Sequence, residues 1–292
     1  MYSMTYKAIL AAVSGGSASA GTAEIAARLT QRFGAHLEGL HIRIDPVQIL
    51  ATSIDGMGMP LPTEWIDDME KEAAATAKKT KALFESALAR QGLALSDKTA
   101  ADTKAGASVT WRDEVGPAAD LVAGRARFFD LAILGRSERV VGKSYTDAIE
   151  HVLIHSGCPV LLAPAEAPKT IGEKIAVGWN GSTEAVRTLH AALPLLAKAQ
   201  SVTIVTVEAG ADKDVASVLS YLAWHGISAG HRGTALPGRT SPGEQLIATA
   251  HEIQSDLLVM GAYGRAPWRE VVFGGATREV LQSSMLPILM SH

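Results

Sequence analysis

Lys174-Ile175-Ala176-Val177-Gly178-Trp179-Asn180-Gly181-Ser182 decides how this chain folds, because the same pattern opens it as Lys7-Ala8-Ile9-Leu10-Ala11-Ala12-Val13-Ser14-Gly15-Gly16-Ser17. Each stretch is a short apolar run closed by small polar residues and followed by a helical pattern, which reads as a strand, a tight turn and a helix. Two further pairs follow in the same order. Asp130-Leu131-Ala132-Ile133-Leu134-Gly135 returns as Asp256-Leu257-Leu258-Val259-Met260-Gly261. Cys158-Pro159-Val160-Leu161-Leu162-Ala163-Pro164 returns as Leu286-Pro287-Ile288-Leu289-Met290-Ser291-His292. Three matches in one order mean a duplicated domain.

The copies differ in length. The interval from Ser14 to Gly135 exceeds that from Asn180 to Gly261 by about 40 residues. The surplus is placed around residues 45–104, where the turn-rich Asp55-Gly56-Met57-Gly58-Met59-Pro60-Leu61-Pro62 precedes a long charged helix. Residues 165–172, which contain Pro168, read as a linker, so the expected domains are 1–165 and 171–292. In the second copy the apolar runs place strands near 174–179, 201–207, 229–235, 256–260 and 287–290. Amphipathic patterns place helices near 183–198, 213–225, 242–254 and 276–284. Short apolar strands separated by helices predict a parallel sheet covered on both faces. The expected class is α/β: two tandem doubly wound parallel sheets of five strands.

Composition narrows the function. The 292 residues carry 27 basic against 30 acidic side chains, a net charge of −3. That balance gives no basic footprint for nucleic acid or an anionic membrane. The one cysteine, Cys158, excludes an internal disulfide and a cysteine zinc cage and suits a reducing, cytoplasmic setting. No apolar stretch reaches the ~18 residues a membrane span needs. The run from Ala8 to Val13 before Ala18-Ser19-Ala20 has the outline of a secretory signal. It is shorter than the ~7–15 apolar residues such a signal uses, and it recurs mid-chain, so it is read as a strand.

In doubly wound sheets, ligands bind beyond the carboxyl ends of the strands, where the strand order reverses. At that place the second copy carries Gly261-Ala262-Tyr263-Gly264-Arg265, which runs on to Gly274-Gly275-Ala276-Thr277 at the start of the last helical pattern. Glycines permit close backbone approach. A helix start offers unpaired N–H groups and a positive dipole end to an anion. Arg265 adds charge and Thr277 a hydroxyl. On the chemistry alone, a plain turn without ligand is an equal reading.

The spacing Gly261-x2-Gly264-x9-Gly274 resembles the nucleotide-binding loop of the universal stress protein family, and both copies resemble that family, apart from the surplus in the first. The resemblance implies a loop that holds the phosphates of ATP, with magnesium. It also implies an adenosine held by an aspartate after the first strand and a valine near the end of the second. Those positions are Asn180 and Val207 in this sequence; Gly261, Gly264 and Gly274 take the loop glycines and Thr277 the hydroxyl. Two positions depart from the pattern. Gly275 replaces a Ser or Thr, and Asn180 keeps hydrogen-bonding capacity without charge. In the first copy, Ser14 stands at the aspartate position, and Thr146, Asp147 and Ile149 take the places of Gly274, Gly275 and Thr277. An aspartate at a helix start repels phosphate, so that copy reads as a degenerate site.

Other patterns are weaker. Gly142-Lys143-Ser144 lacks the leading glycine of a phosphate loop, since Ser137 occupies its place. Gly226-Ile227-Ser228-Ala229-Gly230 fits a nucleophile elbow by letter, but its helix comes before and its strand after, so it reads as a turn. His151 and His155 share a helix face near Cys158, yet no third ligand stands out. Met57, Met59 and Leu61 read as a loop folded over its own core. The leading expectation is a non-enzymatic stress-response protein that binds ATP or a related adenine nucleotide in the second copy, with at most slow hydrolysis. The alternative is a tandem module that binds no nucleotide and acts through protein–protein interaction. The resemblance also implies that Val160–Ala163 and Ile288–Ser291 pair across a pseudo-twofold inside one chain, and it leaves open a homodimer.

Overall fold

The computed structural model describes residues 4–43, 63–96, 106–136, 145–207, 214–238, 240–262, 280 and 284–292. Two compact units divide the chain. The first holds Tyr6–Cys158 and Ala163–Ala167, and the second holds Pro168–His292 with Pro159–Leu162.

In the first unit the order is β1 (Ala8–Ala12), α1 (Ser19–Phe33), β2 (His36–Arg43), α2 (Thr63–Arg90), β3 (Ser108–Val115), α3 (Ala118–Ala126), β4 (Leu131–Gly135) and α4 (Tyr145–His155). The strands lie in the order β3-β2-β1-β4, all parallel. Ile9, Leu10, Leu131 and Ile133 are fully buried, as apolar runs between two helical layers must be. The surplus of this copy includes α2, a 28-residue helix. Its Phe84 and the β3 residue Trp111 occupy the space above Gly39. One and two turns earlier on α2, Thr80 and Thr76 lie against Gly15, so this helix covers the turn that follows β1.

The second unit takes most of β5 (Val160–Ala163), then β6 (Lys174–Gly178), α5 (Thr183–Leu196), β7 (Ser201–Val207), α6 (Val215–Trp224), β8 (Ala229–Thr234), α7 (Pro242–Glu252), β9 (Leu257–Gly261) and β10 (Ile288–Ser291). Its strand order is β5-β10-β9-β6-β7-β8. The β10–β9–β6–β7–β8 pairs are parallel. β5 pairs antiparallel with β10, Leu162 opposite Ile288 and Val160 opposite Met290. This is the pairing expected of the two final strands, and it draws β5 into the second unit and covers the edge β10 would otherwise expose.

The repeated aspartates tie strands together at their amino ends. Asp130 accepts the N–H groups of Lys7 and Ala8 at 2.6 and 2.9 Å. Asp256 accepts those of Glu173 at 3.0 Å and Lys174 at 3.1 Å. Each carboxylate therefore fastens the start of the first strand of its copy to the strand that it precedes, far from any carboxyl-end crevice. The expectation of apolar strands covered on both faces fails at β8, where Gly230, His231, Arg232 and Gly233 are exposed. As the edge strand it packs on one side only, and Arg232 pairs with Glu252 at 2.6 Å.

Candidate nucleotide site

β6 is flanked by β7 and β9, so the strand order reverses between β6 and β9, the point at whose carboxyl ends doubly wound sheets generally receive ligands. The local chemistry of the β6–α5 turn is compact. Trp179 N–H donates to Val205 O at 2.9 Å, extending the strand pair by a residue. Asn180 Oδ1 then accepts the Ser182 N–H at 3.0 Å, closing an Asx turn. Gly181 takes the left-handed conformation at φ 72° that this turn requires. Ser182 caps α5, its Oγ accepting the Ala185 N–H at 3.2 Å. The α5 start thereby meets β9. A β-carbon on Gly261 would stand 2.5 Å from Ala185 N and 2.7 Å from the Glu184 carbonyl carbon. Only glycine allows this backbone approach.

Three of the sequence-predicted residues fall within this arrangement. Asn180 is exposed at the turn. Gly178, the last residue of β6, lies opposite Val205; Asn180 follows two residues on in the turn, and the half-buried Val207 ends β7. Gly261 ends β9 against Glu184 and Ala185 in the first turn of α5. Gly264, Arg265, Gly274, Gly275 and Thr277 lie outside the described residues. Two residues that sequence reasoning passed over border the same turn. Trp179 is 6% exposed, and its indole N–H has no hydrogen-bond partner among the described residues. Asp214 Oδ2 lies 3.8 Å from where a Gly181 β-carbon would be. Neither stands in a spacing pattern that marks it.

The first unit repeats the turn with different chemistry. Ser14 Oγ accepts the Gly16 N–H at 3.3 Å, and Gly15 N–H donates to Ser19 Oγ at 2.9 Å. At the carboxyl ends of β1, β2 and β4 a cavity of about 70 Å³ is lined by Val13, Leu40, Val122, Leu134 and Val152, with Ser14 as the polar residue among the described lining. α4 begins at Tyr145, which puts Asp147 in its first turn. Lys143 and the methionines Met57 and Met59 lie outside the described residues.

The histidine pair has an internal explanation. His151 Nε2 stands 2.9 Å from Asp120 Oδ1, and its ring centroid is 4.4 Å from that of His155. Among the described residues no three metal-ligating groups converge. Cys158 is buried and its Sγ–H donates to Phe129 O at 3.3 Å. Burial pushes its thiol from the ordinary 9.0 up to about 12. Burial likewise raises the Tyr6 phenol above 10.0. Both groups therefore keep their protons in the fold while the unfolded chain loses them. Their contribution to stability is complete below pH 9.0 and is lost as pH rises from there toward about 12. Urea midpoints are expected to fall steadily above pH 9.0, and Cys158 to resist Ellman's reagent until the chain unfolds. Rapid labelling of the folded protein at pH 8 would contradict this. Gly226 takes φ 74° between α6 and β8, so Gly226–Gly230 is a turn entering a strand, as its context required.

Residues 234–292 match the sequence model of the Universal stress protein family. No curated protein matches the chain. Among solved structures, a universal stress protein from Archaeoglobus fulgidus DSM 4304 superposes with a TM-score of 0.69 at 15% identity, over 99% of this chain and 98% of its own. A protein of unknown function from Pseudomonas aeruginosa PAO1 superposes with a TM-score of 0.56 at 14% identity, over 99% of this chain and 93% of its own.

Proposed function

We propose, for a chain that carries universal stress protein sequence over residues 234–292 and the fold of such a protein along its length, that it is a non-enzymatic stress-response protein binding ATP or a related adenine nucleotide with Mg²⁺ at the second unit. The observation that carries this reading is the contact of Gly261 with the first turn of α5 at the strand-order reversal. It places the start of the glycine segment beside the Asn180 turn, where a doubly wound sheet receives ligands. In this reading the backbone N–H groups of Gly264, Gly274 and Gly275 hold the phosphates, with Arg265 and Thr277 adding charge and a hydroxyl. Asn180 and Val207 hold the adenosine. Binding changes how the protein meets its partners by favouring one of two states.

A second reading, an interaction module without nucleotide, is favoured by one observation. Asn180 uses its Oδ1 on Ser182 and brings no charge, so only its amide N–H groups remain for a ligand. Differential scanning fluorimetry with millimolar ATP and magnesium separates the two, together with mass spectrometry of ligand released from purified protein. ATP at ~100 times its Kd adds ~2.7 kcal/mol, a rise of a few degrees. A rise, or co-purified adenine nucleotide, is the expected result. Neither would leave the interaction module.

A further inference from the structure

The two copies part company beneath α3 and α7. Ala12 stands beside Leu40 and Leu134, and Gly178 holds the same place between Val205 and Met260. The fifth residue of the helix is Val122 in α3 and Leu246 in α7. In the second unit Leu246 closes on the strand, its Cδ2 only 2.8 Å from where a Gly178 β-carbon would be. In the first unit the side chain is the shorter valine, and Ala12 and Val122 border the cavity of about 70 Å³ at the carboxyl ends of β1, β2 and β4. Its described lining is aliphatic except for Ser14 and carries no charged residue. Such a wall offers water one hydroxyl where a held water needs two to four partners.

We infer that this cavity is a binding site of the first unit for a small uncharged amphiphile, its aliphatic end in the cavity and its hydroxyl at Ser14. The inference is independent of the nucleotide reading for the second unit. The volume is about half of the ~150 Å³ that accepts a benzene ring, which suits an aliphatic chain of about three or four carbons. Transfer of that chain out of water supplies the affinity. Ser14 is exposed, and its Oγ accepts the Gly16 N–H at 3.3 Å, which leaves its own O–H to donate to the ligand hydroxyl. A charged head would lose hydration against an aliphatic wall that returns no counter-charge, so the site selects neutral ligands. Its place is the strand-order reversal of the first unit, between β1 and β4. The copy without phosphate chemistry therefore keeps a ligand position and changes the class of ligand.

The test is methyl NMR of the full chain titrated with 1-butanol and, separately, with butane-1,4-diol, with the methyl signals of Leu40, Leu134 and Val152 as reporters. The wild type is expected to show saturable shifts at these methyls with 1-butanol. The diol is expected to bind about tenfold more weakly, because its second hydroxyl would have to enter the aliphatic end. Val122→Leu, which installs the side chain of the other copy, is expected to weaken 1-butanol at least about tenfold and to leave the free protein as stable or more so. Ala119→Val narrows the same cavity from the start of α3 and is expected to act in the same direction. Shifts that never saturate, equal affinity for the alcohol and the diol, or unchanged 1-butanol binding in both variants would overturn the site. Absence of ATP binding would overturn the nucleotide reading and leave this inference standing.

Discussion

Gly261→Val is expected to destabilise the second unit by about 3 kcal/mol, lowering its melting temperature by roughly 5–10 °C. The reason lies in which atoms crowd the site. The nearest neighbours of the missing β-carbon are Ala185 N at 2.5 Å and the Glu184 carbonyl carbon at 2.7 Å, both backbone atoms of the first turn of α5. Backbone in a capped helix start cannot rotate aside as a side chain can, so either α5 shifts or β9 leaves its register. Gly178→Ala is the internal comparison. Its β-carbon would meet Leu246 Cδ2 at 2.8 Å, the far end of a flexible side chain, and the loss should be smaller. Urea unfolding followed by tryptophan fluorescence reads both. An unchanged midpoint for Gly261→Val would mean that α5 does not pack on the end of β9.

Gly264→Val, three positions further on, is expected to do the opposite: to remove ATP binding and leave the melting temperature of the ligand-free protein within about 1 °C. A loop that cradles phosphates through its N–H groups needs the ligand within hydrogen-bond distance of the backbone, and a branched β-carbon stands in the way. The expected loss is at least about a hundredfold, ~2.7 kcal/mol, beyond what one lost hydrogen bond explains. Unchanged ATP affinity in this variant would show that the nucleotide, if bound, uses another surface. The two substitutions together separate the architectural glycine from the ligand-facing one, although both belong to one sequence spacing.

The repeat was legible because strands and turns write themselves locally. Apolar runs such as Ile175–Val177 and Leu257–Val259 have strand length and end in small polar residues, and each became a buried parallel strand. The order of the three repeated motifs was enough to predict the duplication, and the sheet places the two copies' matching strands in the same relative order, β1 beside β4 and β6 beside β9. Edge strands were less legible. β8 carries Gly230, His231, Arg232 and Gly233 exposed, because a strand with one neighbour needs no apolar continuity.

The sequence by itself determined the fold class and the repeat, since these follow from hydrophobic period and turn chemistry within a few residues. Tertiary structure decided what individual polar residues do. Asp256, inside a repeated motif, looks as much like a site residue as Asn180 does. Only its distance to the Glu173 and Lys174 N–H groups, 82 or more residues away in the chain, shows that it fastens β6. Asp214 carries no motif and gains its place from Gly181, which a different strand connection brings beside it. Hydrogen bonds and charges act over a few ångströms, so their partners are set by which segments the sheet makes neighbours, not by spacing along the chain.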